Sequence, residues 1–231
     1  MPKAKSSHPA SYSSLSDQEI AVVNKIYAFT EEYFKNPRFD ASHDFNHVKR
    51  VVSNALIILE KEEELRNHKL LPALNPLNVI LGALLHDVED KKYLTGDETG
   101  SPTKRAVIEA GLSEDYATHM QQLVEGVSYS SEVKDPRRVI ELIEAIPELA
   151  IVQDADRLDA IGAIGIGRCF TFTGAKGFKS LQDAIDHFED KLLKLEAMMK
   201  TETGMAMAEE RSARIREFMS WWHEEVDAAN Q

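Results

Sequence analysis

The residues of this chain best suited to chemistry are histidines and acids set into apolar surroundings. The stretch IVQDADRLDAIGAIGIG, residues 151–167, has the composition of a protein interior, yet it carries Asp154, Asp156 and Asp159. Burying a carboxylate costs several kcal/mol unless it is paired or bound to a metal. Upstream, SHDFNHVKRV (residues 42–51) sets His43 and His47 four residues apart, one above the other on a helix face. LLHDVED (residues 84–90) puts His86 and Asp87 at the end of an apolar helix. The free carbonyls and the dipole there favour a cation and disfavour a lone carboxylate. These residue types and spacings support the binding of a cation.

Taken singly, each residue also has a plainer reading. His47 leads the row His47, Val51, Ala55 and could be a packing residue at the core edge, and His86 could be a helix cap. On a regular helix Asp154 and Asp156 point about 200° apart, so only one of them can face an ion. Asp156 and Asp159, three residues apart, share a face. Surface pairing with Arg157 and Arg168 would suit Asp154, but the small residues of 160–167 imply close packing.

These residues must be positioned by helices. Between clusters of proline and glycine, apolar residues recur at helical spacing, which predicts an all-α fold. One helix is expected over 17–34, capped by Ser14 or Ser16. A second starts near Asp44 with Val48, Val51, Val52, Ala55, Leu56 and Leu59 on one side. It fades into the charged EKEEELRNHK. Residues 77–88 are almost entirely apolar and belong in the core. The polar stretch EDKKYLTGDETGSPTK that follows is long enough to be a functional loop. Further helices fit 105–111, 114–127, 136–146, 151–167, 181–200 and 205–226. No repeat and no linker poor in apolar residues divides the chain. Residues 15–231 therefore read as one globular helical domain, behind a disordered tail of residues 1–14.

Asp and Glu total 39 against 27 Lys and Arg, a formal charge of −12. Such a field repels phosphate polymers, so neither DNA nor RNA is an expected partner. A small anionic substrate is compatible only where a bound cation and a few local Lys or Arg residues reverse the sign. The single cysteine, Cys169, rules out an intrachain disulfide and a thiolate metal cluster, as expected in a reducing compartment. The N-terminal residues lack the apolar segment of a secretory signal, and no apolar run is long enough to cross a bilayer. The expected location is cytoplasmic, with the nucleus as an alternative.

His47, then His86–Asp87, then an aspartate in ADRL, in that order on successive helices, resembles the H…HD…D motif of the HD-domain metal-dependent phosphohydrolase superfamily. The A-D context of the last motif selects Asp156 over Asp154. With QDADRLDAIGAIGIGR and HFEDKLLKLEAMMKTETGMAMAEER added, the chain resembles more narrowly a subfamily of small standalone HD hydrolases, whose relatives are similar to nucleotide pyrophosphohydrolases. The likeness runs from about Leu15 to the end.

The resemblance implies that His47, His86, Asp87 and Asp156 hold one divalent metal ion. This mixed nitrogen and oxygen set suits Mn²⁺ or Mg²⁺ best, with Fe²⁺, Ni²⁺ and Zn²⁺ open. It further implies hydrolysis of a nucleotide or similar phosphate compound, for example a nucleoside triphosphate to monophosphate and pyrophosphate. Glu89 and Asp90, just after the HD pair, are candidate general acids or bases, and Asp159 is a third. His43, Arg50, Lys92, Arg168 and Lys191 are candidates to contact the substrate. Trp221 and Trp222 read as packing residues or as contacts of a homodimer. Two other readings stay open: a hydratase or lyase acting on a small non-phosphate substrate, and a non-catalytic nucleotide or metal sensor.

Overall fold

A computed structural model of the protein describes residues 14–39, 44–88, 100–175, 177 and 180–229. They form eleven α-helices and no strand. In chain order the helices are α1 (Asp17–Tyr33), α2 (Phe45–His68), α3 (Pro76–Leu85), α4 (Pro102–Glu109), α5 (Glu114–Val127), α6 (Tyr129–Lys134), α7 (Pro136–Ala145), α8 (Glu148–Asp159), α9 (Gly162–Ala175), α10 (Gln182–Asp190) and α11 (Glu202–Ala229). The all-α expectation holds.

Helix starts follow side-chain capping. Ser16 and Glu19 form a capping box at α1. The Asp44 carboxylate accepts the His47 amide at α2, and Asn75 caps α3 just before Pro76. Helix α2 does not fade at residue 60 but continues to His68, with Arg66 and His68 in its last turn, where the dipole favours cations. Helix α6, capped by Ser128, has too few apolar residues to show a period and was not expected. The segment 181–200 divides into α10 and a short 3-10 helix over Leu192–Met198.

Helices α2, α3 and α8 lie at the centre, and the α2–α8 pairing is the most extensive among the described residues. Val48, Leu81, Leu84 and Val152 from these three helices join α1, α4 and α5 in one apolar cluster. Ile58, Ala83 and Leu158 join α9, α10 and α11 in a second. Each central helix is therefore apolar on two sides. The polar residues left between those sides, His47, Asp87, Asp156 and Asp159 among them, are gathered where the three helices meet. Trp222 packs against Phe170 and donates to Gln182, while Trp221 is exposed. No helix among the described residues is long and apolar enough to span a membrane.

For residues 151–167 one expectation is corrected and one open reading is decided. The stretch is not one helix: α8 stops at Asp159, and α9 begins at Gly162, whose φ of 72° is a backbone conformation that favours glycine. A Cβ on Gly165 would lie 2.2 Å from the Ala160 carbonyl oxygen, so the turn can close only with glycine there. Asp154, for its part, is not a surface acid. It is fully buried and accepts hydrogen bonds from the Lys200 amide at 2.9 Å, the Thr201 amide at 2.8 Å and the Thr201 hydroxyl at 2.7 Å. It thereby ties the start of α11 to α8. Arg211 of α11 donates to the Leu158 carbonyl at 2.5 Å and to the Asn54 side chain at 2.9 Å. Asn54 in turn donates to the Ala155 carbonyl at 3.1 Å, bracing the end of α8 from two sides.

The glycines of the turn are expected to separate in urea denaturation. Gly165→Ala forces a backbone clash and should cost about 1–3 kcal/mol. Gly167→Ala, whose Cβ meets nothing within 4 Å, should be neutral or stabilising by up to about 1 kcal/mol.

Candidate metal centre

Helix α2 presents His47 one turn from its start, the turn after α3 presents His86 and Asp87, and α8 presents Asp156. The His47 and His86 Nε2 atoms lie 3.0 Å apart. Asp87 Oδ2 lies 3.3 Å from the first and 3.4 Å from the second. Asp156 Oδ1 approaches the same two nitrogens at 3.5 and 3.8 Å. All four predicted ligands thus converge. His47 and His86 are buried, whereas the side chains of Asp87 and Asp156 keep 16% and 29% exposure, so the centre is reached from the carboxylate side.

The other ring nitrogens settle which atoms face inward. His86 Nδ1 lies 2.9 Å from the Ala83 carbonyl, which can only accept, so this nitrogen carries the proton. His47 Nδ1 lies 2.7 Å from Asp159 Oδ2 and 3.1 Å from Arg168 Nη1, and the shorter contact, to an acceptor, places the proton on Nδ1. Asp159 also accepts from Arg50 Nε at 2.6 Å, Arg50 Nη2 at 3.0 Å and Arg168 Nη1 at 2.9 Å, so it is ionised and accepts from His47 as well. Both Nε2 atoms are then lone pairs in the neutral imidazoles, aimed at each other. Only a positive charge between them relieves that repulsion. Two imidazoles and two carboxylates around one point suit a divalent cation, and His47, His86 and Asp156 form a group able to hold a metal ion.

The titration of the side chains agrees with this. Burial disfavours the charged form of His86, yet Asp87 and Asp156 raise its pKa from 6.5 to about 9. Burial likewise opposes ionisation of Asp87, but the charge of His86 beside it holds it well below the usual carboxylate range. Asp159 is also held low: hydrogen bonds from His47 and Arg50, with the charge of Arg168, outweigh its burial.

Of the residues expected to work beside the ligands, Arg50 and Arg168 come to the site through Asp159. Asp159 itself has both oxygens engaged, Oδ2 by His47, Arg50 and Arg168 and Oδ1 by Arg50. Lys191 closes α10, with its ammonium 4.8 Å from the centre of the Tyr129 ring. His43, Glu89, Asp90 and Lys92 lie outside the described residues. The grouping of Asp159 with Arg50 and Arg168 was not expected. Its signal was the spacing of three residues both in His47/Arg50 and in Asp156/Asp159, which sets two faces of α2 and α8 against each other. Tyr33, whose hydroxyl donates to the Val88 carbonyl at 2.5 Å and so ties down the residue after Asp87, left no comparable signal.

No family model matches the chain. The uncharacterized protein YpgQ of Bacillus subtilis is 34% identical over 183 residues, covering 78% of this chain and 82% of its own. The chain belongs to the HD-domain family of small standalone proteins. The crystal structure of YpgQ in complex with ADP superposes with a TM-score of 0.68 and 29% identity, covering 90% of this chain and 96% of that one. An HD-superfamily hydrolase of Bacillus thuringiensis superposes with a TM-score of 0.65 and 28% identity, covering 91% and 99%. The protein therefore has the fold of an HD-superfamily hydrolase, and its His/Asp group can hold a divalent ion.

Two outcomes are expected. In metal-free protein the folded pKa of His86 lies above its unfolded value of 6.5. The stability it contributes is present below pH 6.5 and lost as the pH rises through about 9, so the melting temperature with EDTA should fall over that range. Protein loaded with metal, which displaces the proton, should not show the fall. Asp159→Asn leaves His47 without its charged anchor and should weaken Mn²⁺ affinity about 10- to 100-fold in a titration followed by electron paramagnetic resonance.

Proposed function

We propose that the protein is a divalent-metal-dependent phosphohydrolase acting on a nucleotide or a similar small phosphate compound. The observation that carries this reading is the meeting of two imidazole lone pairs and two carboxylates at one point that needs a cation, within the fold of an HD-superfamily hydrolase. ADP bound to YpgQ supports a nucleotide as the ligand class.

His47, His86, Asp87 and Asp156 would hold the ion, with Mn²⁺ or Mg²⁺ favoured. When bound, such an ion supplies Lewis acidity toward a phosphoryl oxygen and lowers the pKa of coordinated water. Asp159 fixes the tautomer of His47, and Arg50 and Arg168 keep Asp159 ionised. In this reading Asp159 is a positioning residue rather than the acid or base expected from the sequence. Glu89 and Asp90, which follow the ligand pair directly, are the proposed proton carriers, and His43, Lys92 and Lys191 the proposed substrate contacts. The hydratase reading calls for a tight apolar pocket without cations. The cavity beside the centre is instead lined by Lys49, Arg50 and Arg168, which favours a phosphate substrate.

Product analysis tests the proposal. With Mn²⁺ or Mg²⁺, a panel of nucleoside di- and triphosphates should release phosphate or pyrophosphate, and the product identifies the bond cleaved. Asp156→Ala should lower turnover by at least about a thousandfold, on the order of 4 kcal/mol in the barrier, while the helical circular dichroism signal persists. Release that continues in this variant, or binding without any release across the panel, would overturn the assignment.

A further inference from the structure

On α8, Asp156 stands between two buried residues that point elsewhere, Asp154 at about 200° and Arg157 at about 100° around the helix axis. The Asp154 carboxylate receives the Lys200 amide at 2.9 Å and the Thr201 amide and hydroxyl at 2.8 and 2.7 Å, just before α11. Arg157 Nη2 donates to Glu132 of α6, and Glu132 also accepts from Lys200 Nζ at 2.7 Å. Lys200 thus serves both flanks of Asp156, one through its backbone and the other through its ammonium. Asp154, Lys200, Glu132 and Arg157 form a closed ring of polar contacts that starts and ends on α8 and spans the metal ligand.

We propose that Glu132, Arg157 and Lys200 are positioning residues that fix the rotation of α8 and so set how Asp156 meets a metal ion. The assignment rests on His47, His86, Asp87 and Asp156 holding a divalent cation. Two observations separate this role from plain stabilisation. Arg157 is 2% exposed, yet its Nε and Nη1 have no hydrogen-bond partner among the described residues, and neither has Gln153 Oε1 one turn earlier on the same helix. A buried guanidinium matched so sparsely is a poor stabiliser, and apolar side chains of similar size commonly do as well or better. What it supplies is direction, through its bond to Glu132. The opposite flank is shaped to match: a Cβ on Gly204 would lie 2.3 Å from Asp154 Oδ2 and 2.7 Å from Thr201 Oγ1, so glycine at this place lets the carboxylate seat on the Lys200 and Thr201 amides. The leverage is large. With side chains reaching about 5–6 Å from the helix axis, a rotation of about 10° moves Asp156 by about 1 Å, against the roughly 0.2 Å within which metal–ligand distances are held.

The double variant Glu132→Leu/Arg157→Met tests the ring. It removes one charge of each sign, so the long-range field acting on a cation is unchanged and neither residue is left stranded, while Lys200 keeps the Met198 carbonyl and 20% exposure. Its melting temperature in EDTA should equal or exceed that of the wild-type chain. Its Mn²⁺ affinity, titrated by electron paramagnetic resonance, should fall at least about tenfold. Gly204→Ala, which displaces Asp154 from the other flank without altering charge, should lower Mn²⁺ affinity in the same way with the helical circular dichroism signal intact. Wild-type affinity in either variant, or a lowered melting temperature in the double variant, would overturn the proposal and leave the ring a structural feature only, with Mn²⁺ binding by the wild-type chain still free to stand. A wild-type chain that fails to bind Mn²⁺ would instead overturn the metal reading, and the proposal with it.

Discussion

Two imidazole lone pairs held 3.0 Å apart repel each other unless positive charge lies between them, and the centre of this protein is built around that condition. Neither ring can turn away. His86 is tied to a carbonyl of its own helix, and His47 to an aspartate held by two arginines from different helices. With both outer nitrogens committed as donors, both inner ones are obliged to accept. Asp87 and Asp156 then complete a donor set that only a cation satisfies, a proton in the metal-free protein or a divalent ion when one is bound.

Such an arrangement is expensive to bury, because each ion must recover in the interior the hydration it gave up. The protein meets the cost locally. Asp159 is shared by three donors, Glu132 accepts from both Arg157 and Lys200, and Asp154 takes the backbone and hydroxyl donors at the start of α11. The partners of the α8 charges come from α2, from α6, from the adjacent α9 and from the start of α11. The same bonds that neutralise the buried charges therefore hold α8 at the level where Asp156 meets the histidines. Electrostatic satisfaction and positional accuracy are one feature here, since removal of a partner would strand a charge and release the helix together.

The break between α8 and α9 has a comparable double role. A straight helix through residues 151–167 would carry Arg168 away from Asp159. The left-handed turn at Gly162 and the close approach at Gly165 redirect the chain into α9, which packs against α10 and α11 and brings Arg168 to the carboxylate. Arg211 and Asn54 take up the carbonyls exposed where α8 stops.

Much of this could be read from the chain. Helical periodicity and side-chain caps are local, so the all-α fold and most helix limits followed from spacing alone, whereas the choice of His47, His86–Asp87 and Asp156 as one ligand set followed from the resemblance to the HD motif. What spacing could not show was direction. That Asp154 faces Thr201 and not solvent, that the apolar run of 151–167 breaks between two helices, and that Arg50 and Arg168 grip Asp159 all depend on which helices pack together. A buried carboxylate and an exposed one look alike in sequence because their partners are remote in it. Sequence by itself determined which groups were available and on what kind of element each stands. Only the tertiary structure decided which of them meet, because the free energy of a buried charge is set by neighbours in space and not by neighbours along the chain.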